Sequence, residues 1–271
     1  MRALYYILLA GILFLTSCSN ASQPNDPIPE HETFTIQSKQ VGEERTINVW
    51  TPEEYKSNTD SIMVLYMPDG GIKEDFPHIA NTLNDLIKAN KIPAVILVGI
   101  ENTQRRKDLT GPTTVGKDKE IAPVVGGSGQ FRAFIDDELI PKINKRYRTT
   151  NKKGIIGESL AGLFVTETFL LKPEMFDFYI AFDPSLWWND EYLVKTANEH
   201  LDKFPDAQKT FWFAGSGATD ISVTVGKLSD ILKTKNSENI KWEYSDEKKE
   251  KHNTIFRATK EKAITWTLNN I

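Results

Sequence analysis

Cysteine is almost missing from this chain, and Cys18 is the only one among 271 residues. No internal disulfide can therefore form, and stability must come from the packing of the core. The H-E-x-x-H pattern is missing too, and the 4 histidines lie far apart in sequence, so we expect no metal site and no cofactor. A basic excess is also missing, because 33 Lys and Arg residues stand against 37 Asp and Glu residues. This balance of charge argues against nucleic acid as a partner.

The N-terminus carries an apolar run over residues 3–15, which is too short for a comfortable membrane span of about 20 residues. The run leads into Leu-Thr-Ser-Cys, and this ending, with Cys18 last, resembles the lipobox of bacterial lipoproteins. The resemblance implies a signal peptide over residues 1–18, lipidation of Cys18, and an exported protein anchored to a membrane, in the periplasm or at the cell surface. An ordinary cleaved signal peptide is the alternative. Residues 19–31, rich in Ser, Asn and Pro, are predicted to form a flexible tether to a domain over residues 32–271.

From about residue 32 onward, short β-branched or aromatic segments alternate with helical ones. FTIQ and RTINVW predict a hairpin, IMVLYM (62–67) predicts a buried strand, and apolar residues at helical spacing predict a helix over residues 78–90. The alternation continues to the C-terminus and predicts an α/β fold with a mostly parallel sheet and helices on both faces. Pro141 is expected to kink or end the helix predicted around FRAFIDDELIPKINKRY. Residues 110–129 show no period and are predicted to form an irregular wall or lid of a functional cleft, with a plain surface loop as the alternative.

Residues 155–164 read IIGESLAGLF and contain the pattern G-x-S-x-G. A β-branched segment leads into Gly157 and a helical apolar pattern begins at Leu160, which is the context that a nucleophile elbow requires. Gly157 and Gly162 remove side chains that would clash in so sharp a reversal. We therefore predict that Ser159 is a nucleophile at the N-terminus of a helix, where backbone N–H groups favour a developing oxyanion.

A serine nucleophile needs a base within hydrogen-bond reach. His31 lies in the predicted tether, and His78 and His200 are expected to be surface or capping residues. His252 follows the last predicted strand, IKWEY, where the hydrolase chain order of Ser, acid and His puts the base. We therefore predict His252 as the base, and the alternative is a solvated, charged loop over residues 245–252.

The acid of such a triad is expected between the serine and the histidine. Asp220 follows the penultimate predicted strand, KTFWFA, and is preferred because the carboxyl ends of parallel strands face the cleft. Asp183, which follows the strand FYIAF, is the rival, and a Glu residue or a Ser-His dyad without an acid stays open. For the oxyanion hole we expect the N–H groups of Leu160 and Gly70, with Gly71 as a further candidate, because Pro-Asp-Gly-Gly follows the third predicted strand.

With these residues placed, the chain resembles the esterase D family of α/β-hydrolases, which includes enterochelin esterases and relatives that act on feruloyl or acetyl-xylan esters. The resemblance runs from about residue 32 to the C-terminus, through LYMPDGG, VGIENTQRRKDLTGP, FIDDELIPKINKRY, IIGESLAGLF and PEMFDFYIAFDPSLWW. It implies an α/β-hydrolase fold and hydrolysis of carboxylic esters. Three positions depart from the pattern: Glu158 stands where relatives often have His, Ala161 where they often have Gly, and Asp183 where they often have Ser.

The same resemblance implies which residues border the substrate. The family stretch N-T-x-R-x-R-D-L-T maps onto Asn102 and Arg105 here, and Arg105 is expected either to bind an anionic or catecholate group or to pair with Asp108. The adjacent Trp187 and Trp188 are expected to stack on a sugar or an aromatic acyl group, with one of the two serving as core packing.

The sequence thus predicts a serine esterase that uses an acyl-enzyme, with a siderophore ester or an acyl or feruloyl ester of a polysaccharide as substrate. A lipid-anchored binding protein that kept the scaffold but lost catalysis is the alternative. A peptidase would share the triad, but the sequence shows no sign of the large accessory domain that such enzymes often carry.

Overall fold

The protein is described by a computed structural model that covers residues 26–271. The predicted signal peptide (1–18), the lipidation site Cys18 and the first part of the predicted tether (19–25) lie outside the described residues. Within the described part of the chain, no helix combines the length and the apolar character needed to cross a bilayer.

Eight strands form one sheet in the order β1-β2-β4-β3-β5-β6-β7-β8. The first hairpin, as predicted, is antiparallel, and β2 also pairs with β4 in antiparallel fashion, whereas every other neighbouring pair of this sheet is parallel. The predicted α/β architecture is therefore confirmed. The strands are β1 (Glu32–Gln37), β2 (Glu44–Trp50), β3 (Ile62–Pro68), β4 (Val95–Ile100), β5 (Thr149–Glu158), β6 (Phe178–Phe182), β7 (Lys209–Ser216) and β8 (Ile240–Glu247).

Helices cover both faces of the sheet and divide its core into two clusters. The helices are α1 (Glu53–Ser57), α2 (Phe76–Lys88), α3 (Arg105–Asp108), α4 (Gly116–Ile121), α5 (Ser128–Ala133), α6 (Ile140–Arg146), α7 (Leu160–Leu171), α8 (Trp188–Leu201), α9 (Thr219–Lys235) and α10 (Ile255–Leu268). One cluster lies beneath α2 and α10, and the other lies beneath the helices from α5 to α9. Because both faces are covered, the central strands are apolar on both sides, and all six residues of β4 are buried.

The helix around Pro141 does not end at the proline. A π-helical turn over Phe134–Leu139 joins α5 to α6, in which Pro141 is the second residue. Proline has no N–H for the carbonyl four residues earlier, and its ring crowds that carbonyl. The π-helical turn directly before α6 has a wider hydrogen-bond spacing than an α-helix, and it accommodates both the missing N–H and the bulk of the ring. The chain therefore continues as a helix through the proline.

The segment 110–129, predicted to be irregular, contains the short helix α4. Polar contacts hold it, because the Asp118 carboxylate accepts hydrogen bonds from Thr113 Oγ1 (2.6 Å) and from the backbone N–H of Asn189 (2.8 Å). Hydrophobic periodicity cannot reveal a helix that is fixed in this way, which is why the prediction was wrong here.

Residues 26–31 form neither helix nor strand, but they contact the domain. Asp26 forms an ion pair with Arg257, and Asn81 Nδ2 donates a hydrogen bond to the Pro27 carbonyl at 2.7 Å. The described end of the predicted tether thus lies against the domain.

Candidate active site

Ser159 lies at the sharp reversal between β5 and α7, with φ 59° and ψ −117°. A Cβ atom at Gly157 would come within 2.6 Å of the Ala161 carbonyl carbon, and one at Gly162 within 2.9 Å of the Phe182 oxygen. Both glycines are therefore required by the close approach of backbone, as the sequence predicted. The Ser159 N–H donates a hydrogen bond to the Phe182 carbonyl at 3.0 Å, which ties the bend to the end of the neighbouring strand β6.

The structure brings His252 to Ser159 although 93 residues separate them. His252 lies in the loop between β8 and α10, and its Nε2 is 3.0 Å from Ser159 Oγ. Its side chain is 37% exposed, so a substrate can reach the ring from the solvent side. His78, expected at the surface, is instead buried, with its ring edge-on to Phe256 at 4.8 Å.

Asp183, and not Asp220, lies against the histidine. Asp183 Oδ2 is 2.7 Å from His252 Nδ1 and also accepts a hydrogen bond from Ser216 Oγ at 2.7 Å, while Oδ1 accepts one from the Ser216 N–H at 2.8 Å. The residue comes directly after β6, is completely buried, and has a left-handed φ of 44° that turns its side chain toward His252. Its carboxylate thus has three donors when His252 Nδ1 is protonated.

The prediction of Asp220 as the triad acid was wrong. Asp220 is exposed on the first turn of α9, four residues beyond the end of β7 at Ser216. Asp220 makes no hydrogen bond to His252 in the described structure and acts on it only through its charge.

Charge and burial shift the pKa values of His252 and Glu158, two titratable groups next to the nucleophile. The hydrogen bond with Asp183 raises the pKa of His252, burial opposes the rise, and the charges of Glu158 and Asp220 add to it. Burial raises the pKa of Glu158 to about 7, while the opposite charges of His252 and Arg105 work against this rise. A negative Glu158 therefore favours the protonated form of His252.

The N–H groups of the two predicted oxyanion donors have different surroundings. Leu160 is the first residue of α7, where N–H groups have no acceptor within the helix. The Gly70 N–H instead donates to the Ile100 carbonyl at 2.9 Å, so the prediction of Gly70 as a donor was wrong. Its neighbour Gly71, the second candidate, donates its N–H to Glu74 Oε2 at 2.7 Å.

The predicted substrate-binding residues Asn102 and Arg105 are both bonded to the loop after β3. Arg105 forms two parallel hydrogen bonds to the Asp69 carboxylate, each 2.7 Å long, and Asn102 Nδ2 donates to Asp69 Oδ1 and to Glu74 Oε1. The expected pair of Arg105 with Asp108 does not form, because Asp108 pairs with another buried guanidinium. The sequence analysis assigned no role to Asp69 or Glu74, although acidic residues close to a pair of glycines are typical of a turn.

The two adjacent tryptophans have different environments. Trp188 is 5% exposed and donates its indole N–H to the Gly111 carbonyl at 3.0 Å, so it serves mainly as packing, as expected for one of the two, and its edge also lines a cavity of about 320 Å³. Trp187 is half-buried and lines a cavity of about 570 Å³ together with residues of the 114–121 segment, Asp190 and Asp220. Part of the segment predicted to be a wall or lid thus lines one cavity with Trp187, and the lining of this cavity includes neither Ser159 nor His252.

Comparison with known proteins gives consistent matches over most of the described chain. A family model described as "Putative esterase" matches residues 38–264. Ferri-bacillibactin esterase BesA of Bacillus subtilis is 36% identical over 126 residues, which cover 42% of this chain and 44% of that protein. Siderophore triacetylfusarinine C esterase of Aspergillus fumigatus is 27% identical over 195 residues, covering 65% of this chain and 63% of the relative. The chain thus spans between two fifths and two thirds of the length of these curated relatives.

The fold has equally clear relatives among solved structures. An IroE-like serine hydrolase from Shewanella oneidensis superimposes with a TM-score of 0.81 at 25% identity, over 88% of this chain and 79% of that one. BES protein from Bacillus cereus gives a TM-score of 0.77 at 20% identity and covers 88% of this chain and 96% of that one. The sheet described above is therefore the α/β-hydrolase fold.

Proposed function

The chain belongs to the family described as "Putative esterase", whose model matches residues 38–264. We propose that it hydrolyses carboxylic esters through Ser159, His252 and Asp183. One observation carries the proposal: an unbroken chain of hydrogen-bond contacts runs from Ser159 Oγ to His252 Nε2 (3.0 Å) and from His252 Nδ1 to Asp183 Oδ2 (2.7 Å). This is the arrangement of nucleophile, base and orienting acid that acyl transfer to a serine requires.

The reaction proceeds in two steps. His252 Nε2 takes the proton of the Ser159 hydroxyl while Oγ attacks the ester carbonyl carbon, and the resulting oxyanion accepts a hydrogen bond from the Leu160 N–H. When the tetrahedral intermediate collapses, the imidazolium returns the proton to the leaving alkoxide and the acyl group stays on Oγ. Water then repeats the sequence on the acyl-enzyme, and the acid and free Ser159 are released. Asp183 holds the ring with its proton on Nδ1 throughout and stabilises the imidazolium.

The relatives point to the class of ester. Both curated relatives carry siderophore ester names, so we propose a siderophore ester as the substrate of this chain. An acyl ester of a polysaccharide is the second candidate, favoured by Trp187 on a cavity wall, because a half-buried indole provides a flat surface on which the sugar part of a substrate could rest away from the scissile ester. A panel of siderophore esters, acetylated or feruloylated oligosaccharides and small esters decides between them by kcat/KM.

The catalytic proposal is tested by Ser159→Ala. We expect this change to abolish ester hydrolysis and leave thermal unfolding unchanged, because it removes only the nucleophilic oxygen. Covalent labelling of the natural protein by a fluorophosphonate, and its loss in the variant, is the second readout. A protein that binds a siderophore but neither reacts with the probe nor cleaves any ester of the panel would be the inactive binding protein instead.

We also propose that the protein is exported and anchored through a lipid on Cys18. The support is the sequence before this residue. Metabolic labelling with an alkyne fatty acid tests it: the label is expected on the natural protein, and Cys18→Ala should remove it and release the protein from the membrane fraction.

A further inference from the structure

The loop after β3 passes close to the nucleophile. β3 and β5 are parallel neighbours in which Tyr66 pairs with Ile155, so in the same register the next residues of the two strands end side by side. Asp69, the first residue beyond β3, then lies beside Glu158, and its charge adds to the rise in the pKa of Glu158, which burial chiefly causes. The loop of residues 69–71, here called the β3 loop, is thus in position to affect the attack by the serine.

The β3 loop has a shape that needs support. Asp69 has a left-handed φ of 58°, which is costly for a residue with a side chain. Gly70 is tightly packed, since a Cβ there would lie 2.3 Å from the Gly99 Cα atom. Asn48 Nδ2 donates to the Gly70 carbonyl at 3.0 Å, and the Gly70 N–H is bonded to β4, so both backbone polar groups of this residue are fixed.

A chain of hydrogen bonds connects Arg105 to the Gly71 N–H. The guanidinium holds both oxygens of Asp69 at 2.7 Å, and Asn102 Nδ2 bridges Asp69 Oδ1 (2.5 Å) and Glu74 Oε1 (2.9 Å). The other oxygen of Glu74 accepts the Gly71 N–H at 2.7 Å. A carboxyl oxygen therefore already occupies the acceptor position of this N–H, and burial raises the pKa of that carboxyl group.

One edge of the guanidinium is already occupied by a carboxylate of the protein. Arg105 Nε and Nη2 both donate to Asp69, so this edge of its planar fork is not available to an anionic substrate. Asp69 is 7% exposed, which protects its carboxylate, whereas the Arg105 side chain is 35% exposed. Binding of an anionic group by the remaining Nη1 edge is the alternative role that the variants below distinguish.

We propose that Arg105 and Asn102 are positioning residues, which hold the β3 loop through Asp69 and Glu74 so that Gly71 presents its N–H to the oxyanion. The inference rests on the ester hydrolysis proposed above. When the tetrahedral oxygen forms, it takes over this N–H from Glu74, whose other oxygen stays on Asn102. The two residues thus act on the transition state without touching the substrate.

The experiment compares Arg105→Ala and Asn102→Ala with Lys73→Ala as a matched control. Lys73 is exposed on the segment that follows the β3 loop, and its removal deletes a positive charge outside the network. The substrates are a neutral phenyl acetate and an anionic succinate monoester of the same phenol. We expect kcat to fall about tenfold or more for both esters in the two variants, with KM nearly unchanged, because a transition-state contact is lost. Lys73→Ala should keep the natural kcat.

Two further readouts distinguish loss of loop positioning from partial unfolding of the variants. Affinity for a trifluoromethyl ketone, which forms an oxyanion on the serine, should fall by the same factor as kcat, and added guanidinium ion should restore part of the activity of Arg105→Ala. If an alanine variant does not fold, Arg105→Lys takes its place, since it keeps the charge but cannot form two parallel hydrogen bonds, and its kcat should fall as well.

Each other outcome has a definite meaning. A raised KM for the anionic ester only, with natural kcat on the neutral one, would make Arg105 a substrate receptor and overturn the proposal. Variants that match Lys73→Ala would show that the β3 loop needs no such support. If the natural protein cleaves neither these esters nor the wider panel and Ser159 resists the fluorophosphonate, the proposed esterase function fails, which is a result distinct from both.

Discussion

Replacing Asp183 by Asn tests the choice of the triad acid, because the surroundings dictate how the new amide must lie. The backbone N–H of Ser216 points at Oδ1 and cannot turn away, so the amide oxygen of the asparagine must take the Oδ1 position. The NH₂ group then occupies the Oδ2 position and donates to His252 Nδ1, which lies 2.7 Å from Oδ2 in the natural protein. The ring is forced to carry its proton on Nε2, and that nitrogen can no longer accept the proton of Ser159.

The expected loss follows from this reversal of the tautomer. We expect kcat/KM to fall by roughly 10⁴-fold, as for the same change in serine proteases, which corresponds to about 5.4 kcal/mol at 1.36 kcal/mol per tenfold. Initial rates on a chromogenic acetate ester measure the loss, and a thermal melt within a few degrees of the natural protein shows that the fold is kept. Asp220→Asn is the matched control, and we expect it to change the rate less than about threefold because Asp220 is exposed. A variant at 183 that kept a tenth of the activity, or a control that lost as much, would refute the reasoning.

Three further predictions follow from pKa shifts and burial. His252 must be neutral to accept a proton, and the Asp183 hydrogen bond raises its pKa above the ordinary 6.5. We therefore expect kcat/KM to fall with decreasing pH, with a midpoint above pH 6.5, and an unchanged rate down to pH 5 would contradict this. Arg45→Ala leaves the buried carboxylate of Asp108 unpaired, so we expect urea unfolding to report a loss of about 3–5 kcal/mol, and a loss under 1 kcal/mol would contradict the buried pair. Trp188→Ala should lose about 3–5 kcal/mol of stability, while Trp187→Ala should lose less and raise KM for bulky esters; equal effects of the two changes on stability would argue against their different burial.

The fold was predictable because its signals are local and repeated. The alternation of buried strands and amphipathic helices fixes the class, and the elbow was recognisable because its G-x-S-x-G pattern lies between a strand and a helix. Contact with Ala161, four residues along, dictates Gly157, whereas the end of the next strand, at Phe182, dictates Gly162. The helix α4 was not predictable, since it depends on polar anchors without a period, one of them to Asn189, far along the chain. Pro141 marked a disturbance in its helix, but the proline alone did not reveal that a π-helical turn lets the helix continue.

The sequence alone could not identify the triad acid. Asp183 and Asp220 both follow strands whose carboxyl ends lie at the same edge of the sheet, and both obey the chain order of a hydrolase. What separates them is position in the folded chain: Asp183 has a left-handed φ and is buried against His252, whereas Asp220 is exposed on α9. The predicted donor Gly70 failed for a similar reason, because the acceptor of its N–H belongs to a strand 30 residues further along the chain.

Three residues of the site share a left-handed backbone conformation at the end of a strand. Asp69, Ser159 and Asp183 each come directly after one of three neighbouring strands, β3, β5 and β6, and each has a left-handed φ, of 58°, 59° and 44°. Such conformations cost about 1–3 kcal/mol apiece, and they persist only where surrounding contacts fix them. Here the contacts are shared along the edge, because Ser159 donates its N–H to the last residue of β6, and Asp183 donates its N–H to the Ala214 carbonyl of β7. Because these bonds couple the ends of β5, β6 and β7, we expect a change beside Asp183 to act on the attack by the serine as well.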